Sequence, residues 1–173
     1  MSIISIQSYK NKEKFTDLLE QNKLRFYKTA KSILKNDDDV YDALQEALIS
    51  IYQNFNNLKN EKYFATWATR IVINKCYDLL RKNKKSKIIS IETELENDIA
   101  NAGYDDYDVD QYGIKKALES LNDDLRLITI LYYYDNFSIN EISKIIDIPN
   151  GTVKSRLYKA RTILKEKLEK EEI

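Results

Sequence analysis

The sequence predicts an all-α protein of two small helical domains joined by a flexible acidic linker, the second domain carrying a helix-turn-helix. Three observations lead there. Apolar residues recur at helical spacing through most of the chain, while the alternation expected of strands is scarce. Residues 91–113 contain no Lys or Arg, hold two of the three glycines and carry a net charge of −8. Residues 138–161 read as two short helices around a tight turn. The boundaries follow: a domain over 1–90, a linker over 91–113 and a second domain over 114–173.

In the first domain the periodicity predicts helices over about 11–35, 39–56 and 61–84. Leu44, Leu48, Ile51 and Phe55 form the expected inward stripe of the middle helix. Opposite lie Asp42, Gln45, Glu46 and Gln53, with Ile49 among them. An apolar residue inside a polar, partly acidic face is the composition of a protein-binding patch, though single exposed hydrophobes are common. In the third helix Tyr63, Trp67, Arg70, Asn74, Tyr77 and Arg81 alternate at spacings of four and three, which sets them on one stripe. Ala65, Ala68, Val72, Cys76 and Leu79 share another face and can supply the core contact. Aromatic rings interleaved with Arg suit unpaired bases: rings stack on any base, guanidinium groups hold phosphates, and an amide can read an exposed base edge. The run Arg81-Lys-Asn-Lys-Lys-Ser-Lys87 extends this cationic surface.

The linker reads either as a solvated spacer or as an acidic strand that imitates nucleic acid. Beyond it, Ser138 with Glu141 three residues on is a capping-box pattern, followed by Ile142, Ile145 and Ile146 at helical spacing. Pro149-Asn-Gly151 breaks that helix, and Asn150 is the expected cap of the next, starting near Gly151 or Thr152. There Val153, Leu157, Ala160, Leu164 and Leu168 fall on one face; Ser155, Tyr158, Lys159 and Thr162 lie opposite, flanked by Lys154, Arg161 and Lys165. An outward face rich in donors and positive charge suits a major groove, where phosphates attract cations and base edges demand directional partners.

Composition narrows the function further. The chain has no histidine and a single cysteine, Cys76, so the usual metal sites, His-based catalysis and an internal disulfide are missing. Neither a Gly-rich phosphate loop nor a Gly-x-Ser-x-Gly elbow is present. No enzyme, cofactor or metal is expected. Apolar runs fall short of a membrane span and no signal peptide is evident, so the expected address is the cytoplasm, without direct membrane insertion. The formal charge of zero, from 28 basic and 28 acidic residues, argues against nonspecific coating of nucleic acid. It conceals segregation, with +7 over residues 1–90 and +1 over 114–173.

These pieces, in this order, resemble the bacterial RNA polymerase sigma factors, specifically the small two-domain extracytoplasmic-function group. Val40-Tyr-Asp-Ala-Leu-Gln-Glu46 is similar to that family's polymerase-contacting helix, Phe64-Ala-Thr-Trp-Ala-Thr-Arg-Ile-Val-Ile-Asn-Lys75 to its promoter-melting segment, and Gly151-Thr-Val-Lys-Ser-Arg-Leu-Tyr-Lys-Ala-Arg161 to its upstream-element recognition helix. The resemblance implies that Asp42, Gln45 and Glu46, around Ile49, bind core RNA polymerase. It implies that Trp67, Arg70 and Asn74 act where the −10 element melts, with Asn74 near the pocket for a flipped base and residues 57–62 helping to form it. It implies that Lys154, Ser155, Tyr158 and Lys159 face the −35 duplex, with Arg156 and Arg161 on phosphates or intramolecular partners, and that an anti-sigma factor, often membrane-anchored, is a partner. Asp147 stands in the turn where many relatives have Gly, a position Asp tolerates. Lys154 replaces a common Arg, and Lys lacks the planar two-bonded contact with guanine. With the sequence ending at Ile173, no appended sensor domain is expected. The alternative function is a polymerase-independent helix-turn-helix regulator.

Overall fold

The computed structural model describes residues 3–90 and 112–171, so residues 91–111 of the predicted linker lie outside the described residues, while its last two, Tyr112 and Gly113, open a helix. The elements are α1 (Ile3–Ile33), α2 (Asp37–Asn54), two 3₁₀ turns (Phe55–Asn57 and Glu61–Tyr63), α3 (Phe64–Ser90), α4 (Tyr112–Glu119), α5 (Asp123–Tyr133), α6 (Ile139–Ile146) and α7 (Asn150–Glu171). No strand occurs among the described residues. α1 starts earlier than the periodicity suggests, and α3 runs on to Ser90.

Local chemistry sets the helix starts. Asn36 caps α2 by accepting from the Asp38 amide at 2.8 Å, and Asp37, Asp38 and Asp39 place negative charge on the first turn, where the helix dipole favours it. Asn122 caps α5 by accepting from the Leu125 amide at 3.0 Å. At α6 the predicted capping box is formed: the Glu141 amide donates to Ser138 Oγ at 3.3 Å and the Ser138 amide to Glu141 Oε2 at 2.9 Å. Asp147 ends α6 in the left-handed conformation (φ 56°, ψ 49°), as an Asp can. The next start differs from expectation. Asn150 lies inside the first turn of α7, and it is the Pro149 carbonyl that accepts from the Thr152 and Val153 amides, at 2.9 and 3.1 Å. Proline suits that place because it has no N–H to satisfy there.

In α2 the buried row is Val40, Ala43, Ala47 and Ile51, not the larger residues on either side of it. Leu44 and Phe55 are half-buried, and Leu48 is 39% exposed. The physical reason is close approach: Ala43 and Ala47 let α2 settle against α3, whose own buried row is Phe64, Ala68, Val72 and Cys76. Phe64 is an aromatic hub, with its ring 6.5 Å from Phe26, 6.0 Å from Phe55 and 6.1 Å from Trp67.

One hydrophobic cluster runs through both helix groups. It includes Phe26, Ala30, Ala68 and Val72 on one side and Leu127, Leu131, Phe137, Ile142, Ile145 and Val153 on the other. α1 packs on α5 as well as on α2 and α3, and α3 packs on α6. A smaller cluster of Leu121, Leu125 and Ala160, with Leu118, Ile163 and Leu164 beside it, joins the second group internally. Ser138→Ala removes the α6 cap; a loss of about 1 kcal/mol is expected, read as a fall of about 2–4 °C in Tm by thermal denaturation.

Candidate nucleic-acid interface

On α7 the inward row is buried as the sequence predicts through Val153, Leu157 and Ala160, half-buried at Leu164, and open by Leu168. Lys154, Ser155, Tyr158, Lys159 and Thr162 are exposed, with Tyr158 73% exposed. A tyrosine ring so open on a helix gains nothing from burial and is available to a partner. Arg156 and Arg161 are engaged within the fold. Arg156 Nη1 lies 3.2 Å from Asp124 Oδ2, and Arg161 Nε donates to Tyr133 Oη at 2.6 Å while stacking near the Tyr132 and Tyr133 rings.

On α3 the stripe is continuous. Tyr63, at the end of the preceding 3₁₀ turn, is 55% exposed; Trp67 is half-buried against Phe64; Arg70, Asn74, Tyr77 and Arg81 are exposed. Arg81 pairs with Asp78 one turn back. Burial, helped by the Asp124 and Asp123 carboxylates, raises the Tyr77 pKa, so the phenol keeps its proton as a donor. Burial pushes the Cys76 thiol up to about 12, which fits a packing residue and not a nucleophile.

On α2, Asp42, Gln45, Glu46 and Ile49 are all exposed, and Lys75 of α3 lies 3.6 Å from Glu46. Tyr41, Leu48 and Tyr52 join Ile49 as exposed large hydrophobics. Of these, Leu48 stands outside the core although the periodicity places it on the inward stripe.

Between the helix groups lies a cavity of about 300 Å³, lined from α3 by Arg70, Asn74 and Tyr77 and from the other side by Asp124, Ile145, Asp147 and Arg156 among others. Arg70 Nη1 donates to the Lys144 carbonyl at 3.1 Å, and its Nη2 lies 3.9 Å from Asp147 Oδ2. A second junction centres on Asp135, which is 4% exposed. Its carboxylate accepts from Thr29 Oγ1 at 3.1 Å and sits 3.9 Å from Arg25 Nε; Arg25 also donates to its main-chain carbonyl at 3.2 Å and covers the Phe137 ring. Burial lifts the Asp135 pKa to about 6, against the opposing pull of Thr29, Arg25 and Lys28.

Residues 18–86 match the family model of Sigma-70 region 2, and residues 113–164 match that of Sigma-70 region 4. The ECF RNA polymerase sigma-E factor of Escherichia coli K12 is 32% identical over 142 residues, spanning 76% of this chain and 74% of that protein. This chain belongs to the ECF sigma factors. Sigma factor SigV of Bacillus subtilis is 29% identical over 155 residues, covering 90% of this ECF sigma factor and 91% of its own length. Among solved structures, the sigma factor RpoE of Bartonella quintana in complex with the anti-sigma factor NepR superposes with a TM-score of 0.74 at 26% identity, over 91% of this chain and 98% of that one. CnrH, in complex with the cytosolic domain of CnrY, shares the fold with a TM-score of 0.64 at 18% identity. ECF sigma factors direct RNA polymerase to particular promoters at transcription initiation, and this protein does so. The reading as a polymerase-independent regulator is not favoured, because it accounts for region 4 alone and leaves region 2 without a task. No helix among the described residues is long and apolar enough to cross a membrane.

The Asp135 carboxyl carries a signed pH dependence. A pKa raised in the folded state means that the folded protein binds more protons than the unfolded one between about pH 4 and 6, so stability from this group rises as pH falls through that window. The groups facing it are Arg25, Lys28 and Thr29 of α1, and Arg25 also faces Glu141. Lowering the pH from about 7 to about 5 is therefore expected to shift Tm in favour of the wild type relative to Asp135→Asn, as measured by calorimetry; a pH-independent difference between the two would contradict the burial argument.

Proposed function

We propose that this sigma factor grips promoters at two points, with residues 1–90 binding polymerase and melting DNA, residues 91–113 connecting, and residues 114–173 reading the upstream element. Core RNA polymerase is taken by Asp42, Gln45, Glu46 and Ile49, and the exposed Tyr41, Leu48 and Tyr52 enlarge that patch with apolar area. The melted strand meets Tyr63, Trp67, Arg70, Asn74, Tyr77 and Arg81. Stacking and hydrogen bonds there offset the few kcal/mol that extruding a base costs. Duplex DNA is read by Lys154, Ser155, Tyr158 and Lys159 of α7. Arg156 and Arg161 hold α7 against Asp124 and Tyr133 while lying close enough to that face to reach phosphates.

The observation that carries this division of labour is the exposed aromatic–arginine stripe of α3 standing in the same chain as an α7 whose outward face is polar and cationic. One surface has the chemistry of unpaired bases, the other that of a major groove. The protein works in the cytoplasm and without catalytic chemistry of its own. The Bartonella quintana likeness, a sigma factor solved with an anti-sigma factor, supports an anti-sigma partner here too, free or membrane-anchored.

Run-off transcription with purified core polymerase over a genomic promoter library tests the reading; stimulation at a subset of templates is expected, and none at any template rejects it. A gel shift without polymerase separates the rival regulator, which alone would bind duplex tightly by itself. Lys159→Ala is expected to weaken closed-complex binding about tenfold with little effect on melting. Asn74→Ala is expected to slow open-complex formation about tenfold, followed by permanganate footprinting, while leaving closed-complex binding nearly intact. Equal loss at both steps in either variant would contradict the assignment.

A further inference from the structure

We propose that Tyr133 of α5, outside the helix that reads bases, is a DNA-backbone residue: its phenol and the Arg161 guanidinium close as one clamp on a phosphate of the upstream duplex. This rests on the reading that α7 faces duplex DNA, and it adds to that reading a contact from a second helix.

The arginines of the chain divide into two kinds. Arg25, Arg70, Arg81, Arg126 and Arg156 each lie within 3.9 Å of a carboxylate, those of Asp135, Asp147, Asp78, Asp123 and Asp124 in turn. Arg161 alone has no acidic partner among the described residues. It is held by a neutral group instead: its Nε donates to Tyr133 Oη at 2.6 Å, and its guanidinium carbon lies 5.8 Å from the centre of the Tyr132 ring and 5.7 Å from that of Tyr133. The two rings meet edge-on, 4.9 Å apart at 82°, and so form a corner around the cation. A carboxylate in that corner would satisfy the guanidinium. A phenol orients it and leaves its charge for another anion.

The donors that remain converge. Both Nη groups of Arg161 are without a partner among the described residues. The Tyr133 oxygen, having accepted from Nε, keeps its own O–H to donate, and accepting from a charged donor polarises that O–H further. A phosphate offers acceptor oxygens to all of these groups at once. The position suits a backbone contact. Lys154, Tyr158, Arg161 and Lys165 are spaced by four, three and four residues on α7, and Arg161 lies about 10 Å along the helix from Lys154, at the edge of the outward face. Tyr133, 48% exposed, stands beside it from α5. The two roles that the sequence leaves open for Arg161, phosphate contact and intramolecular partner, are then one device in which the second aims the first.

The test uses holoenzyme with the full chain and a promoter recovered by run-off, carrying single uncharged methylphosphonates placed in turn along its upstream element. One position is expected where neutralisation weakens the wild-type closed complex about tenfold, Tyr133→Phe about threefold, and Arg161→Gln not at all. On unmodified promoter, Tyr133→Phe is expected to weaken binding about threefold with the salt dependence kept. Arg161→Gln is expected to weaken it about tenfold and to lower the slope of log affinity against log salt by about one, with the double variant no worse. A Tyr133→Phe loss that is the same with and without Arg161, or no loss, overturns the inference. Phenylalanine keeps the ring against Tyr132; should that variant melt below the wild type, Arg161→Lys replaces it, keeping the charge without the fork, and an undiminished response at that phosphate overturns the clamp. Lys159→Ala is the reference. A closed complex indifferent to that variant as well rejects the reading of α7 and the clamp with it. One that responds to Lys159→Ala while no phosphate couples to Tyr133 and Arg161 overturns the clamp alone.

Discussion

α1 is asked to complete two cores at once, and the rest of the arrangement depends on this. Its Phe26 and Ala30 lie in the packing that α2 and α3 close, while the same helix packs on α5 and reaches the segment after it through Arg25, Lys28 and Thr29. A helix with one apolar stripe ordinarily serves one neighbouring layer. Here the polar residues bordering the stripe are the ones that hold the second group, so separation of the groups would expose a cluster edge and also strand Asp135 and Arg25 without their partners. Both costs act in the same direction, which is why the junction is compact despite its polar rim.

The second helix group takes up the intramolecular option that the sequence leaves open for two arginines. Arg156 and Arg161 brace α7 against α5 and against the Tyr132–Tyr133 pair, fixing the angle at which the outward row is presented. A reading helix needs such bracing, because an error of an ångström in its placement costs directional hydrogen bonds first and phosphate attraction last.

Much of this was legible in the residues. The α6 capping box, the left-handed Asp147, the buried Val153–Leu157–Ala160 row and the exposed α3 stripe all follow from local rules that operate within a turn or two of helix. What was not legible needed non-local information. The periodicity places the α2 stripe on Leu44, Leu48, Ile51 and Phe55; of these Ile51 is buried, whereas close approach to α3 selects Ala43 and Ala47 over Leu44 and Leu48. α5 was not singled out, since its apolar residues Leu127, Ile128 and Leu131 show a run too dense to reveal a face. Docking of the two groups was invisible for a similar reason: Phe137 and Ile145 satisfy the pattern of a local core equally well whether or not α1 and α3 lie against them. A single buried carboxylate such as Asp135 has no signature in sequence at all, because its desolvation is made by neighbours more than a hundred positions away.

The alanine row of α2 has a bearing on which of its residues can change without loss of the fold. Since Val40, Ala43, Ala47 and Ile51 form the buried row, Leu48 and Ile49 on the open side of α2 are released from holding the domain together. Leu48 and Ile49 are then open to replacement at little cost to folding, whereas Tyr52 packs edge-on against Phe15. On the proposed reading, recognition and stability stand on separate faces of one helix, so selection can rewrite the first without renegotiating the second.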